Sequence, residues 1–149
     1  MPMIDLYAPQ DALPEADLAA LAGRIADMVN AEEGYAGSRF AANVTWTYIH
    51  EVPAGRLIVG AEPARKAVWR LEVTSPAGSL DAAAKARLGR EVAHLVLEAT
   101  GEGCDSARAS RVWCLFHDVV EGEWFAGARA VSVGLVRDAV ARERNAAVA

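Results

Sequence analysis

Apolar and polar residues begin to alternate near the start of the chain. Residues 3–8 (MIDLYA) alternate, with Met3 and Ile4 adjoining, and predict a short strand. Pro9 to Leu13 reads as a turn. Pro14 stands at a first helical position, with Glu15 and Asp17 in the first turn, where carboxylates favour the helix dipole. Leu18, Leu21, Ala22, Ile25, Met28 and Val29 then mark one helical face, and Gly34 is the expected stop. Residues 43–52 (NVTWTYIHEV) are rich in β-branched and aromatic types and predict a second strand, ended by Pro53 and Gly55.

The pattern then starts again. Residues 68–74 (VWRLEVT) alternate as a strand, and residues 75–79 (SPAGS) form a turn with Ser79 as helix cap. A helix is expected from Leu80 to about Ala99, with Ala84, Leu88, Val92, Leu95 and Val96 on one face. Gly101 and Gly103 close it, and residues 111–119 (RVWCLFHDV) predict a further strand. Residues 121–134 read as a turn and one more short strand, and residues 135–144 as a terminal helix with a fraying alanine-rich end.

The duplication is visible residue by residue. Leu21-Ala22-Gly23-Arg24 matches Arg87-Leu88-Gly89-Arg90, and Trp46-Thr47-Tyr48-Ile49-His50-Glu51-Val52 matches Trp113-Cys114-Leu115-Phe116-His117-Asp118-Val119. The fold class is therefore α+β: two tandem β-α-β units making a four-stranded sheet with two helices on one face. A single domain over residues 1–149 is expected, with repeat 1 at about 2–60, repeat 2 at about 68–134 and a tail at about 135–149. Each crossover should join parallel strands. The other sheet face then carries Trp, Tyr and Val side chains with no helix to cover them, which predicts association through closed symmetry.

Composition narrows the function. The chain has 149 residues, 15 basic and 20 acidic, for a net charge of −5. An acidic chain with a pI near 5.2 lacks the clustered cations that nucleic-acid binding requires, so no nucleic acid is expected as partner. No apolar run approaches the ~18 residues of a membrane span, and the opening MPMIDLYAPQD has no basic n-region of a signal peptide. A cytoplasmic protein with no membrane partner is expected. Cys104 and Cys114 are too few for a disulfide framework and suit a reducing compartment. No His/Cys/Asp cluster has metal-ligand spacing, Gly101 and Gly103 lack the strand-to-helix setting of a dinucleotide loop, and no G-x-S-x-G elbow occurs, so neither metal nor cofactor is expected. Cys114 and His117 lie three apart on one strand and point to opposite faces, which excludes a thiolate dyad.

Pro2 is the first chemical candidate. A small second residue commonly permits removal of the initiator methionine, which would leave a secondary amine at the head of a strand. Apolar surroundings disfavour the charged amine and bring its pKa toward neutrality, where a base for proton abstraction beside a carbonyl works best.

A Pro2 that opens a strand, followed by a duplicated β-α-β unit in about 150 residues, resembles the tautomerase superfamily. The likeness is to its long members, such as cis-3-chloroacrylic acid dehalogenase, more than to short 4-oxalocrotonate tautomerase chains. It covers roughly residues 2–134 and is carried by MPMIDLYAPQD, by HEVPAG at 50–55 and by VWCLFHDVVEGEWFAG at 112–127, where Asp118, Gly122, Trp124 and Gly127 resemble the family's acid, turn, aromatic and hairpin. The resemblance implies a homotrimer with a closed sheet barrel. It also implies cofactor-free chemistry on small 2-oxo or unsaturated acids, with the amino-terminal proline as general base or acid.

The arginines that family members use to hold a carboxylate are absent from their usual turns, which read Gln10-Asp11-Ala12-Leu13 and Thr74-Ser75-Pro76-Ala77-Gly78-Ser79. A family histidine falls at Val29 and a family tyrosine at Leu115. The candidate substitutes for substrate binding are Arg70 on the third strand, beside Glu72, and Arg39 ahead of the second strand, in reach of a neighbouring subunit. Arg56 and Arg129 sit in hairpin regions. Trp124 is the candidate pocket wall near Pro2, or an interface aromatic. His50 and His117 hold equivalent strand positions, which suggests shared structural hydrogen bonding, and His94 lies beside the second helix's apolar face. The leading expectation is a tautomerase-type enzyme, performing tautomerisation, hydration or dehalogenation on a small-molecule substrate. The alternative is a lapsed oligomer of the same fold, acting as a binding or interaction protein.

Overall fold

The computed structural model describes residues 2–147. In chain order the elements are β1 (Met3–Pro9), α1 (Glu15–Glu32), α2 (Arg39–Val44) and β2 (Trp46–Val52), then a small hairpin of β3 (Ile58–Val59) and β4 (Glu62–Pro63). The second half runs β5 (Trp69–Pro76), α3 (Ala82–Ala99), α4 (Ser106–Ala109), β6 (Val112–Val119), the hairpin β7 (Phe125–Ala126) and β8 (Arg129–Ala130), and α5 (Val133–Ala146).

The four long strands make one sheet in the order β2-β1-β5-β6. β1 and β2 are parallel, β5 and β6 are parallel, and the two central strands meet antiparallel. The duplicated β-α-β plan with one helix per repeat on a common face is thus observed. Strand alternation puts Ile4, Leu6 and Ala8 of β1 and Leu71 and Val73 of β5 on the helix side, all at most 1 % exposed. Ile25 and Val29 of α1 and Leu88, Val92 and Val96 of α3 close over them. Burying each such side chain contributes roughly 1.5–3 kcal/mol. Gly34, at φ +82°, stops α1 by taking the left-handed conformation that a residue with a Cβ avoids.

The opposite face is open. Trp46, Tyr48 and Trp113 stand on it, and the two tryptophans are 62 % and 63 % exposed. The face is not purely apolar, because the two predicted histidines also stand there in matched pairs. His50 Nε2 lies 2.6 Å from Asp5 Oδ1, and His117 Nε2 lies 3.0 Å from Glu72 Oε2. Each pair joins an outer strand to its inner neighbour at the same diagonal offset, so the duplication extends to the polar contacts.

Several local expectations are corrected. Residues 43–44 belong to α2 rather than to the strand: Ser38 caps a short helix by accepting from Ala41 N–H at 3.1 Å. The second long helix starts at Ala82 with Asp81 as its cap, not Ser79, because Asp81 Oδ1 accepts from Ala84 N–H at 2.7 Å. β5 continues through Ser75 and Pro76, where a turn was expected, since Ala77 N–H still bonds to Val119 O. The short helix α4 was not foreseen, and α5 spans fourteen residues, 133–146, rather than 135–144. The fraying expected for the last residues falls partly on 148–149, outside the described residues.

The register fixes which end of the sheet matters. Met3 pairs with Trp46 and Thr74, and Thr74 pairs with His117. β1 and β2 therefore begin where β5 and β6 end. α1 returns to that end, α3 leaves from it, and the segment after β6 stays there as a second small core of Tyr35, Ala41, Val131, Val136 and Val140 with Phe40 and Trp124 packed on it.

Candidate active site

Pro2 precedes β1 by one residue, at the end of the sheet just defined. Its side chain is less than 2 % exposed, and its carbonyl accepts from Trp46 N–H at 3.3 Å. Met1, whose loss would free the amine, lies outside the described residues. The 67-residue offset makes Trp69 the second repeat's counterpart of Pro2. That residue is a buried mid-chain tryptophan whose N–H bonds to Arg111 O at 2.8 Å, so amine chemistry can belong to one repeat only.

Glu33 ends α1 at the same end of the sheet. It is half-buried, and its Oε1 is shut off from solvent. Burial pushes its carboxyl above the usual carboxylate range, against the opposing pull of a hydrogen bond with Ser79. Tyr35, 6 % exposed, has its phenol pushed up by burial and by the Glu33 charge, with Arg137 acting the other way. Ser75, 1 % exposed, extends the buried polar set on β5. Arg137 and Arg144 come from α5, and Arg144 Nη2 donates to Gly34 O at 3.0 Å. A small acid docked here would meet one carboxyl, one phenol and two guanidinium groups.

The four residues singled out by sequence do not all converge. Arg39 opens α2 and lines a cleft beside Tyr35 and Ser38. Trp124 is half-buried on the second core with Tyr35, near Arg39's helix. Arg70 lies elsewhere. It pairs in register with Tyr7, about 17 Å along the strand from Pro2's position. Its guanidinium sits 4.0 Å over the Tyr7 ring, and its Nε is 3.1 Å from Glu72 Oε1, on the open face. Within one protomer it is a paired surface cation.

Glu33, Tyr35, Arg137 and Arg144 escaped sequence reasoning. The available signals were a glutamate directly before the helix-stopping Gly34 and two arginines seven apart, one face of a helix. His94, expected beside apolar packing, is exposed and faces Cys104 at 3.7 Å. Burial pushes the Cys114 thiol up to about 11, which keeps it protonated and inert at neutral pH. Among the described residues no three His, Cys, Asp or Glu side chains converge on a metal-sized site, and no helix is long and apolar enough to cross a membrane.

No protein-family model matches the chain, and no curated protein matches it either. Solved structures do. A fused 4-OT that forms an asymmetric trimer shares 15 % identity at TM-score 0.70, over 86 % of this chain and 94 % of that one. A member of the cis-3-chloroacrylic acid dehalogenase family shares 12 % at 0.71, over 91 % and 88 %. A protein crystallised after inactivation by 2-oxo-3-pentynoate shares 16 % at 0.69, over 89 % and 98 %. The chain therefore has the tautomerase-superfamily fold, as its sequence pattern indicated.

Proposed function

We propose that the chain is a cofactor-free enzyme of the tautomerase type. It acts in the cytoplasm on small 2-oxo or unsaturated carboxylic acids, uses the Pro2 amine to carry the proton, and works as a homotrimer. The observation that carries this reading is Pro2 at the head of a central strand, with its ring packed out of solvent. Burial disfavours the charged amine, and a strand holds its direction. In tautomerisation the neutral amine takes a proton from the carbon beside the 2-oxo group, the electron pair moves onto the carbonyl oxygen, and the proton returns at another carbon. In hydration the protonated amine supplies the proton while water adds to the neighbouring carbon. The exposed aromatics of the open face and the trimeric neighbour support assembly through that face.

The test is intact mass of untagged protein before and after treatment with 2-oxo-3-pentynoate. The amine nitrogen adds to the distal alkyne carbon, one π bond breaks, and the amine proton ends on the adjacent carbon, so a whole reagent molecule is gained. The expected result is a chain short of Met1 with one adduct mapped to residue 2. A chain that keeps Met1 and gains nothing refutes the enzymatic reading.

A second reading, a non-catalytic oligomer, draws on the missing arginines at 10–13 and 74–79. A stable trimer that takes no adduct is the outcome it expects.

A further inference from the structure

Between α5 and the turn after α1 lies a cleft of about 390 Å³, walled by Glu33, Tyr35, Arg137, Val140 and Arg144. That volume falls in the range of roughly 300–1,000 Å³ typical of small-molecule sites. Arg137 and Arg144 are seven residues apart, two turns of α5, so both present to the same wall. Arg144 spends one nitrogen on Gly34 O. No described residue hydrogen-bonds or ion-pairs with the Arg137 guanidinium. The wall is fixed in place: Val136 and Val140 are at most 2 % exposed, and Glu143 is anchored to Ser38 and to Phe40 N–H.

The charges favour an anion. Two guanidinium groups, Arg137 and Arg144, face the single carboxyl of Glu33 across the cleft. A planar guanidinium with free N–H groups matches a carboxylate through two parallel bonds.

We propose that this cleft binds the carboxylate of a small organic acid through Arg137, with Arg144 beside it. The C-terminal helix thereby supplies the cation that the turns at 10–13 and 74–79 lack. The inference rests on the enzymatic reading for the role of that acid, though not for its binding.

Titration calorimetry with phenylpyruvate and its methyl ester tests it. The native protein should bind the acid and not the ester. Arg137→Ala should weaken binding about tenfold or more, the loss of a charge-assisted pair. Arg137→Lys should recover part, and Glu33→Gln should retain binding. Equal affinity of Arg137→Ala and native protein, equal affinity for the ester, or no binding by the native protein overturns the proposal. Arg137-dependent binding without any 2-oxo-3-pentynoate adduct at residue 2 would keep the cleft and reject the enzyme. An adduct that forms equally fast in native protein and Arg137→Ala, together with equal affinity of the two for phenylpyruvate, would keep the enzyme and reject the cleft.

Discussion

Ser38 and Glu143, 105 residues apart, are joined by a hydrogen bond from the Ser38 hydroxyl to Glu143 Oε2. Phe40 N–H donates to Oε1 of the same carboxylate at 3.1 Å, while Ser38 Oγ accepts from Ala41 N–H. One carboxylate thus ties the C-terminal helix to the start of α2, and with it positions Arg137 and Arg144. Removing the cap by Ser38→Ala should cost about 1 kcal/mol of stability, seen as a lower denaturation midpoint with faster amide exchange in residues 133–146.

The same tie has a pH signature. The Ser38 hydroxyl, then the backbone N–H groups of Phe40 and Arg39, hold the Glu143 carboxyl below its ordinary value of 4.5. A depressed carboxyl contributes stability that is complete above the unfolded value and lost as pH falls through the folded one. Exchange protection of α5 should therefore fall on acidification below about pH 4.5 in the native chain. Glu143→Gln should lack that acid dependence.

Glu33 should behave in the opposite sense. Its folded value lies above the ordinary 4.5 because of burial, so its contribution is complete below that value and lost as pH rises through the folded one. Glu33→Gln removes the cost of burying a charge. It should raise the thermal midpoint at pH 7–8, by a margin that shrinks toward pH 4. A lower midpoint at neutral pH would mean that the hydrogen bond with Ser79 outweighs burial. A residue that costs stability where it stands fits a functional site better than a packing role.

Trp46 and Trp113 hold repeat-equivalent places on the open face and are its largest exposed groups. Buried in an assembly, such rings remove roughly 150–250 Å² each from water. Sedimentation should give three chain masses for the native protein. Trp113→Glu should give a single chain mass with native helix content.

Much of this was legible in the sequence for a physical reason. Strands with one face buried must alternate, so VWRLEVT and MIDLYA declared both their strand character and their inward residues, and the repeated Trp…His pattern declared the duplication. The paired histidines followed from that symmetry. The elements that close the Pro2 end were harder. The short helix RFAANV contains no full helical period and ends in a β-branched residue, so it reads into the strand after it. Glu33 looks like any solvated glutamate at a helix end. The docking of α5, a long-range contact with no local signal, brings Arg137 and Arg144 alongside it. Arg70 shows the converse: alternation located it correctly on a face, but the face is the open one, where Tyr7 and Glu72 engage it.

The most direct measurement is the rate of ketonisation of phenylenolpyruvate by the native protein and by Pro2→Ala, each checked for the same oligomeric mass. The expected result is measurable turnover by the native chain and a loss of about 10²–10⁴-fold in the variant, the usual worth of a general acid–base group. Turnover by Pro2→Ala at the native rate would contradict the central claim.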